Sequence, residues 1–172
     1  MAKSLAGHPV DVLINNAGRM VRTGTSETAG KSQGFGHFDR VLWHQIFDIN
    51  VFTAMCLAEL MAENLSRSER GRIVTLSSML GSMALNSSGG TYAYRASKAG
   101  VNAITKSLSI DLAERGIIAI ALHPGWVKTD MGGPQADIDV ETSAAGMKAV
   151  IDAVTREDSG KFLSWDGSEL PW

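Results

Sequence analysis

The sequence predicts an α/β fold in which a parallel β-sheet carries helices on both faces. Short apolar runs alternate with longer stretches of helical periodicity along the 172 residues, which is the pattern of strands joined by helical crossovers. The first run, Val10 to Asn15, is almost entirely apolar, as expected for a strand covered on both faces. Neither a linker nor an internal repeat divides the chain, so we expect a single domain.

Four strands are predicted, and a turn or loop sequence follows each of them. They run from Val10 to Asn15, Arg72 to Leu76, Ile117 to Leu122 and Lys161 to Trp165. Ligands of open parallel sheets bind outside the carboxyl ends of the strands. We therefore expect the chemistry of this protein in the loops that follow the four strands.

Apolar residues spaced by three or four positions predict three long helices. The helices span Asp39 to Leu65, Tyr94 to Arg115 and Val140 to Val154. Gly116 suits a left-handed cap after the second helix, and Asp139 suits an N-cap before the third. The residues of the first helix that the periodicity turns toward the core are Ile46, Ile49, Thr53, Leu57 and Leu60.

Charge and composition argue against several classes of protein. Lys and Arg total 16 against 18 for Asp and Glu, so the net charge of −2 gives no electrostatic attraction to nucleic acid. The longest apolar run, Ile117 to Leu122, is too short to cross a bilayer, and Met1 to Pro9 has no apolar signal region. We therefore expect a cytoplasmic protein without a membrane partner.

Cysteine and histidine usage predicts neither disulfides nor a metal site. The single cysteine, Cys56, lies in an apolar helical stretch and is expected to be buried. The four histidines show no spacing typical of metal ligands, so no metal is expected.

Tyr94 and Lys98 form the first candidate pair for chemistry. Four positions apart in a helix, they share a face, so the ammonium can lie near the phenol. A nearby cation favours phenolate and would lower the pKa of the tyrosine toward the range useful for proton transfer. Such a spacing also arises by chance on a solvated surface. Ser77 and Ser78, which end a strand just before the loop leading to Tyr94, add a hydroxyl that could meet a substrate carbonyl.

Taken in order, these motifs resemble those of the short-chain dehydrogenase/reductase family. The resemblance is carried by Asn15-Asn16-Ala17-Gly18 after an apolar strand, Ser78, Tyr94-x-x-x-Lys98 and Pro124-Gly125-Trp126-Val127-Lys128-Thr129. The stretches His123 to Ala136 and Gly160 to Trp172 are similar to the C-factor and sniffer branch of carbonyl reductases. The resemblance implies a Rossmann-like doubly wound parallel sheet and an NAD(P)-dependent oxidoreductase that interconverts a small-molecule carbonyl and an alcohol.

The resemblance also implies a role for each matching catalytic residue. Tyr94 would protonate the carbonyl oxygen during reduction, and Lys98 would lower the pKa of Tyr94 and hold the nicotinamide ribose. Ser78 would hydrogen-bond the substrate oxygen, with Ser77 and Ser82 as alternatives. Asn50, a mid-helix amide that could equally be structural, would hold a water that links Lys98 to bulk solvent.

A nicotinamide cofactor, NAD or NADP, would be bound between two loops. Besides Tyr94 and Lys98, the residues implied in its binding are Asn16, Ala17 and Gly18 on the adenosine side and Pro124, Gly125, Val127 and Thr129 beside the nicotinamide.

One family feature is absent, the glycine-rich motif Thr-Gly-x-x-x-Gly-x-Gly that receives the pyrophosphate. After Thr23-Gly24, Thr28 stands where the next glycine belongs. We therefore expect residues 1–172 to be the C-terminal portion of a family domain, N-terminally truncated with about four strands remaining. Such a chain should bind nicotinamide cofactors weakly or not at all, and the uncovered edge of its first strand should seek a partner.

A second hypothesis is a catalytically inactive fragment of the family that acts as a signalling or protein-interaction module. It follows from the missing phosphate motif beside an intact C-terminal half. Family members often dimerise through a four-helix bundle, which implies a homodimer through helices 39–65 and 94–115 of this chain.

Overall fold

The computed structural model describes residues 5, 7–20 and 34–172, and it contains one parallel four-stranded sheet. The strands are β1 (Val12–Asn15), β2 (Arg72–Leu76), β3 (Ile118–His123) and β4 (Phe162–Ser164). Each strand pairs with the next one in the chain, in the order β1-β2-β3-β4. In the described part of the chain, no strand lies beside the outer edge of β1. Thr23, Gly24 and Thr28, where the sequence departs from the glycine-rich phosphate motif, lie outside the described residues.

Helices cover both faces of this sheet, which confirms the predicted α/β class. They are α1 (Arg40–Phe47), α2 (Thr53–Ser66), α3 (Tyr92–Asp111) and α4 (Val140–Ala153). A π-helical turn, Asp48–Phe52, joins α1 to α2, so that Arg40–Ser66 forms one continuous helix of 27 residues. A 3-10 turn, Met79–Gly81, lies between β2 and α3.

Two apolar clusters, one on each face of the sheet, form the core. Alternation along the strands turns Ile73 and Ala119 toward α2 and α3, where they pack against Leu65 and Leu108. Val74, Ile120, Leu122 and Leu163 point to the opposite face and pack against Val150, Ile151 and Val154 in and after α4. Because all the strand pairs are parallel, the carboxyl ends of the four strands lie at one edge of the sheet, where the candidate site lies.

The predicted element bounds differ from the structure by a few residues. β1 begins at Val12 rather than Val10, and β3 is displaced by one residue toward its carboxyl end. α3 begins two residues before Tyr94 and ends at Asp111, followed by a 3-10 turn that Gly116 caps with φ of 73°. The N-cap at Asp139 is confirmed, because its carboxylate accepts a hydrogen bond from the amide of Thr142 at 2.8 Å.

The predicted buried face of the first helix is wrong beyond Asn50. Thr53 and Leu60 were expected inside but are exposed, and Cys56 is exposed as well. The cause is the π-helical turn, which holds one residue more than an α-helical turn, so that each inward position after it falls one residue later in the chain. Ala54, Ala58, Met61 and Leu65 take the inward positions instead.

Helix Arg40–Ser66 is long and apolar enough to cross a membrane by length and composition alone. The mean hydropathy of its most apolar 18-residue window is 1.3, and 39% of that window is buried in the protein. Helices packed in a protein core meet the same criteria, so a single helix of this kind is weak support for a membrane span. The unburied part includes an apolar surface at Phe52 and Leu60.

Candidate active site

Ser78 lies just beyond the carboxyl end of β2 and caps the Met79–Gly81 turn. Its backbone is extended, with φ of −153° and ψ of 147°, and its Oγ accepts a hydrogen bond from the amide of Leu80 at 3.2 Å. The Ser78 carbonyl accepts a second bond from the amide of Gly81 at 2.7 Å. This local geometry places the Ser78 hydroxyl at the edge where parallel sheets bind ligands.

The three serines that the sequence offers as donors to the substrate oxygen have different partners in the structure. The Ser77 hydroxyl donates to Oδ1 of Asn102 at 2.5 Å, and the Ser82 hydroxyl donates to the carbonyl of Trp172 at 3.3 Å. The Ser78 hydroxyl forms a side-chain hydrogen bond with Tyr94. Of the three, Ser78 is therefore the serine that the structure brings to the tyrosine.

Tyr94 and Lys98 lie together on the buried side of α3, as their spacing predicts. The Nζ atom of Lys98 is 5.7 Å from the centre of the Tyr94 ring. The same ammonium donates a hydrogen bond of 2.7 Å to the carbonyl of Leu76, the last residue of β2. Lys98 therefore links α3 to the end of β2 beside the phenol.

The expectation that the pKa of Tyr94 is lowered toward neutrality is wrong for this structure. Burial raises the pKa of Tyr94, because a phenolate is poorly solvated there, and the hydrogen bond with Ser78 offsets only part of that effect. Burial also lowers the pKa of Lys98 from 10.5 to about 8. At pH 7 the site therefore holds a protonated phenol beside an ammonium group.

Asn50 occupies the π-helical turn, a feature often found at functional sites. Its side chain accepts a hydrogen bond from the amide of Arg19 at 2.7 Å and donates to the carbonyl of Arg19 at 3.0 Å. It also donates to Oγ of Ser97 at 2.9 Å. These bonds tie the loop after β1 to the helices, and the water-holding role of Asn50 remains a prediction.

The residues implied in cofactor binding lie in two loops at the carboxyl ends of the strands, one after β1 and one after β3. Asn16 and Ala17 line a cavity of about 150 Å³ together with Asn50. A Cβ atom on Gly18 would lie 3.7 Å from Nζ of Lys98, so this glycine lies beside the ammonium group. A larger cavity, about 450 Å³, lies between α4 and the β4 region and includes none of the predicted catalytic residues. The smaller cavity is the relevant one, because Asn50 lines it together with Leu76, whose carbonyl accepts the hydrogen bond from Lys98.

The loop after β3 forms the other side, from Pro124 to Thr129. Gly125 has φ of 86°, and a Cβ atom there would lie 2.6 Å from the Ile138 side chain. Val127 pairs with Ile138, and the Thr129 hydroxyl accepts a hydrogen bond from the amide of Gly132 at 3.1 Å. The Pro124 carbonyl accepts a bond from the Ser143 hydroxyl at 2.6 Å. These contacts fix the loop against α4.

Two buried residues of the site escaped the sequence analysis, Ser97 and Asn102. Ser97 accepts from Asn50 and donates to the carbonyl of Tyr94 at 2.8 Å, and Asn102 accepts from Ser77. The available signal was their placement on α3, since Asn102 follows Lys98 by four positions, as Lys98 follows Tyr94.

The residues fit the nicotinamide end of a dinucleotide better than its phosphates. Tyr94 and Lys98 are buried next to each other, and Gly18 lies beside the ammonium group, whereas the glycine-rich phosphate motif is missing from the sequence. Across the described ranges, no three His, Cys, Asp or Glu side chains form a group able to hold a metal ion.

A parallel sheet covered on both faces, with these side chains at the carboxyl ends of its strands, defines a Rossmann-like α/β protein. The chain belongs to the short-chain dehydrogenase family, whose model matches residues 2–139. Among curated relatives, the C-signal of Myxococcus xanthus is 39% identical over 171 residues, which cover 99% of this chain and 98% of that protein.

Solved structures of carbonyl reductases superpose closely on this chain. Sniffer of D. melanogaster has a TM-score of 0.89 with 33% identity, and the match covers 99% of this chain and 69% of the Sniffer chain. The NADPH-bound carbonyl reductase from chicken fatty liver has a TM-score of 0.84 with 32% identity and the same coverage of both chains. The chain thus spans about two thirds of these solved enzymes.

Proposed function

We propose that this chain carries the catalytic half of an NAD(P)-dependent oxidoreductase that interconverts a small carbonyl and an alcohol. The observation that carries the proposal is the cluster of the half-buried Ser78 with the buried Tyr94 and Lys98 at the carboxyl end of β2. A phenol, a hydroxyl and a cation at one point suit the transfer of a proton to a carbonyl oxygen. Similarity to carbonyl reductases, one of them bound to NADPH, supports the same reaction class.

Each of these side chains would have a distinct task. Tyr94, whose pKa is raised, is protonated at neutral pH and can donate its proton to the substrate oxygen. Ser78 would hydrogen-bond that oxygen and orient it. Lys98 would stabilise the phenolate that remains and hold the cofactor ribose. When bound, the nicotinamide supplies or accepts the hydride.

The substrate side of the site is apolar, which favours an uncharged carbonyl compound. Exposed apolar side chains follow β2 at Met79 and Met83, and follow β3 at Trp126 and Met131.

With a net charge of −2, the protein offers little attraction to nucleic acid or to an anionic membrane surface, and we infer a cytoplasmic protein.

The experiment that tests this function uses two proteins, the chain alone and a chimera. The chimera adds the part of the Sniffer chain that lies outside the matched 69%. We expect the chain alone to bind NADH and NADPH more weakly than micromolar in a fluorescence titration, because it lacks the phosphate motif. We expect the chimera to oxidise NADPH in the presence of apolar aldehydes and ketones. Absence of hydride transfer in both proteins would contradict the proposal.

A second candidate function is a non-catalytic signalling or interaction module. It is favoured by the match to a relative named C-signal, of which 98% is covered by this chain. The two functions differ in their dependence on Tyr94, because a module that acts by association does not need the phenolic hydroxyl.

We also propose a homodimer through the joined helices α1 and α2 together with α3. Phe52 and Leu60 on one side and Ile110 on α3 expose more than half of their surface, an apolar face that a second copy could cover. Light scattering should give twice the mass of 18.3 kDa, and the variant pair Leu60→Lys and Ile110→Lys should give the monomer mass. Val140→Lys, at an exposed apolar residue of α4, is the control that should stay dimeric. A wild-type monomer would exclude this interface.

A further inference from the structure

Asn102 lies on α3 one turn after Lys98, and it contacts the same segment of the chain as Tyr94 and Lys98. The three residues are four positions apart and therefore share one face of the helix. All three contact the same segment, Leu76 to Gly81. Tyr94 bonds Ser78, Lys98 donates to the carbonyl of Leu76, and Asn102 bonds residues on both sides of Ser78.

Asn102 uses both polar atoms of its side chain on this segment. Its Oδ1 accepts the Ser77 hydroxyl at 2.5 Å, and its Nδ2 donates to the carbonyl of Gly81 at 3.5 Å. The residue is 3% exposed, so water does not compete for these bonds. Ser78 therefore lies in a short turn that is attached to α3 at both of its ends.

The second end of the turn is also packed tightly against Lys98. A Cβ atom on Gly81 would lie 2.8 Å from Cβ of Lys98 and 2.9 Å from its carbonyl carbon. The turn thus covers the base of the lysine side chain, and only a glycine at position 81 permits this approach.

We propose that Asn102 is a positioning residue that holds the Ser77–Gly81 turn on α3, fixing the Ser78 hydroxyl at Tyr94 and shielding Lys98 from water. Its catalytic consequence rests on the proposed function, but the positioning itself does not. Asn102 acts through Ser78 and Lys98. A leucine of similar size would fill the same space without desolvating an amide, so packing alone gives no reason for a buried Asn here.

The pKa of Lys98 reports this role without any turnover. We would label lysine with 13C at Cε, follow the titration by NMR, and assign Lys98 with the variant Lys98→Arg. In the wild type Lys98 should titrate at a pKa of about 8. Asn102→Ala should raise this pKa by at least about one unit toward the ordinary 10.5, because water reaches the ammonium group.

Thr105→Val is the matched control. Thr105 is fully buried on α3, and its hydroxyl donates to the carbonyl of Val101 at 2.8 Å, within the helix and away from the Ser78 turn. The control removes a buried hydrogen bond from the same helix and should leave the pKa of Lys98 unchanged. Equal shifts in both variants, or none in Asn102→Ala, would overturn the proposal.

Ser77→Ala gives a second route to the same answer. It deletes one of the two attachments, so it should raise the pKa of Lys98 by less than Asn102→Ala, and the double variant should shift it no further than Asn102→Ala alone. This variant also decides the question if Asn102→Ala does not fold. Additive shifts in the double variant would contradict coupling through Ser77.

Measurements of turnover distinguish a failure of this proposal from a failure of the proposed function. In the chimera, Asn102→Ala should lower kcat about tenfold with KM nearly unchanged, since the residue orients Ser78 rather than binding substrate. If the wild-type chimera transfers no hydride, the proposed function fails, and the Lys98 titration alone decides the role of Asn102.

Discussion

Tyr94→Phe is expected to abolish carbonyl reduction in the chimera while leaving the fold intact. The change removes the proton donor and keeps the ring, which is buried against α3 and the Ser78 turn. Loss of a general acid typically lowers the rate by about 10²- to 10⁴-fold. NADPH oxidation measures the rate, and thermal unfolding followed by circular dichroism measures the fold.

Tyr92→Phe is the matched control for this experiment. The chain has two tyrosines, and Tyr92 lies two positions before Tyr94 with an exposed side chain. Its substitution should leave turnover unchanged. If Tyr94→Phe retained wild-type turnover, Tyr94 would have no part in the chemistry, and another group would have to supply the proton.

Lys98→Met should make the protein more stable at pH 7, although it removes a residue proposed to be essential for turnover. Burial lowers the pKa of Lys98 from 10.5 to about 8, a difference that corresponds to about 3 kcal/mol of destabilisation at pH 7. Losing the hydrogen bond to the Leu76 carbonyl offsets about 1 kcal/mol of the gain. We expect a net increase of about 2 kcal/mol in the free energy of unfolding.

The stability difference between Lys98→Met and the wild type should change with pH in one direction. Between about pH 8 and 10.5, the unfolded chain holds a proton on Lys98 that the folded chain has lost, so the wild-type stability contributed by this group rises with pH. The advantage of Lys98→Met should thus be full below about pH 8 and reverse by about pH 10.5, where only the loss of the hydrogen bond, about 1 kcal/mol, remains. Urea unfolding of both proteins across this range measures it, with the exposed Lys148→Met as the control. A Lys98→Met variant less stable than wild type at pH 7 would contradict the burial penalty.

The fold was largely predictable because strands and helices leave local patterns in the sequence. The apolar run before Asn15 and the short runs around Ile73 and Ile120 indicate strands, and the structure contains them. Cover on both faces was wrong for β1, where Ile14 is exposed. The orientation of α2 was not predictable, because a π-helical turn leaves no periodic signal of its own. Burial of Cys56 was expected from its apolar neighbours alone, which do not show which side of the helix it occupies, and it is exposed.

The candidate site was predictable where it depends on spacing, and not where it depends on burial. Tyr94 and Lys98 share a helix face by their separation alone, and Ser78 follows a strand that ends nearby. The direction of the pKa of Tyr94 could not be inferred, because it depends on how completely the tertiary structure removes water from the phenol. Ser97 and Asn102 were missed because their partners lie in distant parts of the chain.

The π-helical turn at Asp48–Phe52 is where this helix holds one residue more than regular winding needs. Deletion of its exposed residue Phe52 would restore regular winding and keep the inward face of α2, because Ala54, Ala58 and Leu65 would then follow Ile46 by about 7, 11 and 18 residues. A deletion within α2 has no such extra residue to absorb it and would turn the residues after it by about 100°. The helix is therefore expected to tolerate the loss of one residue at this turn and not in the 14 residues that follow it.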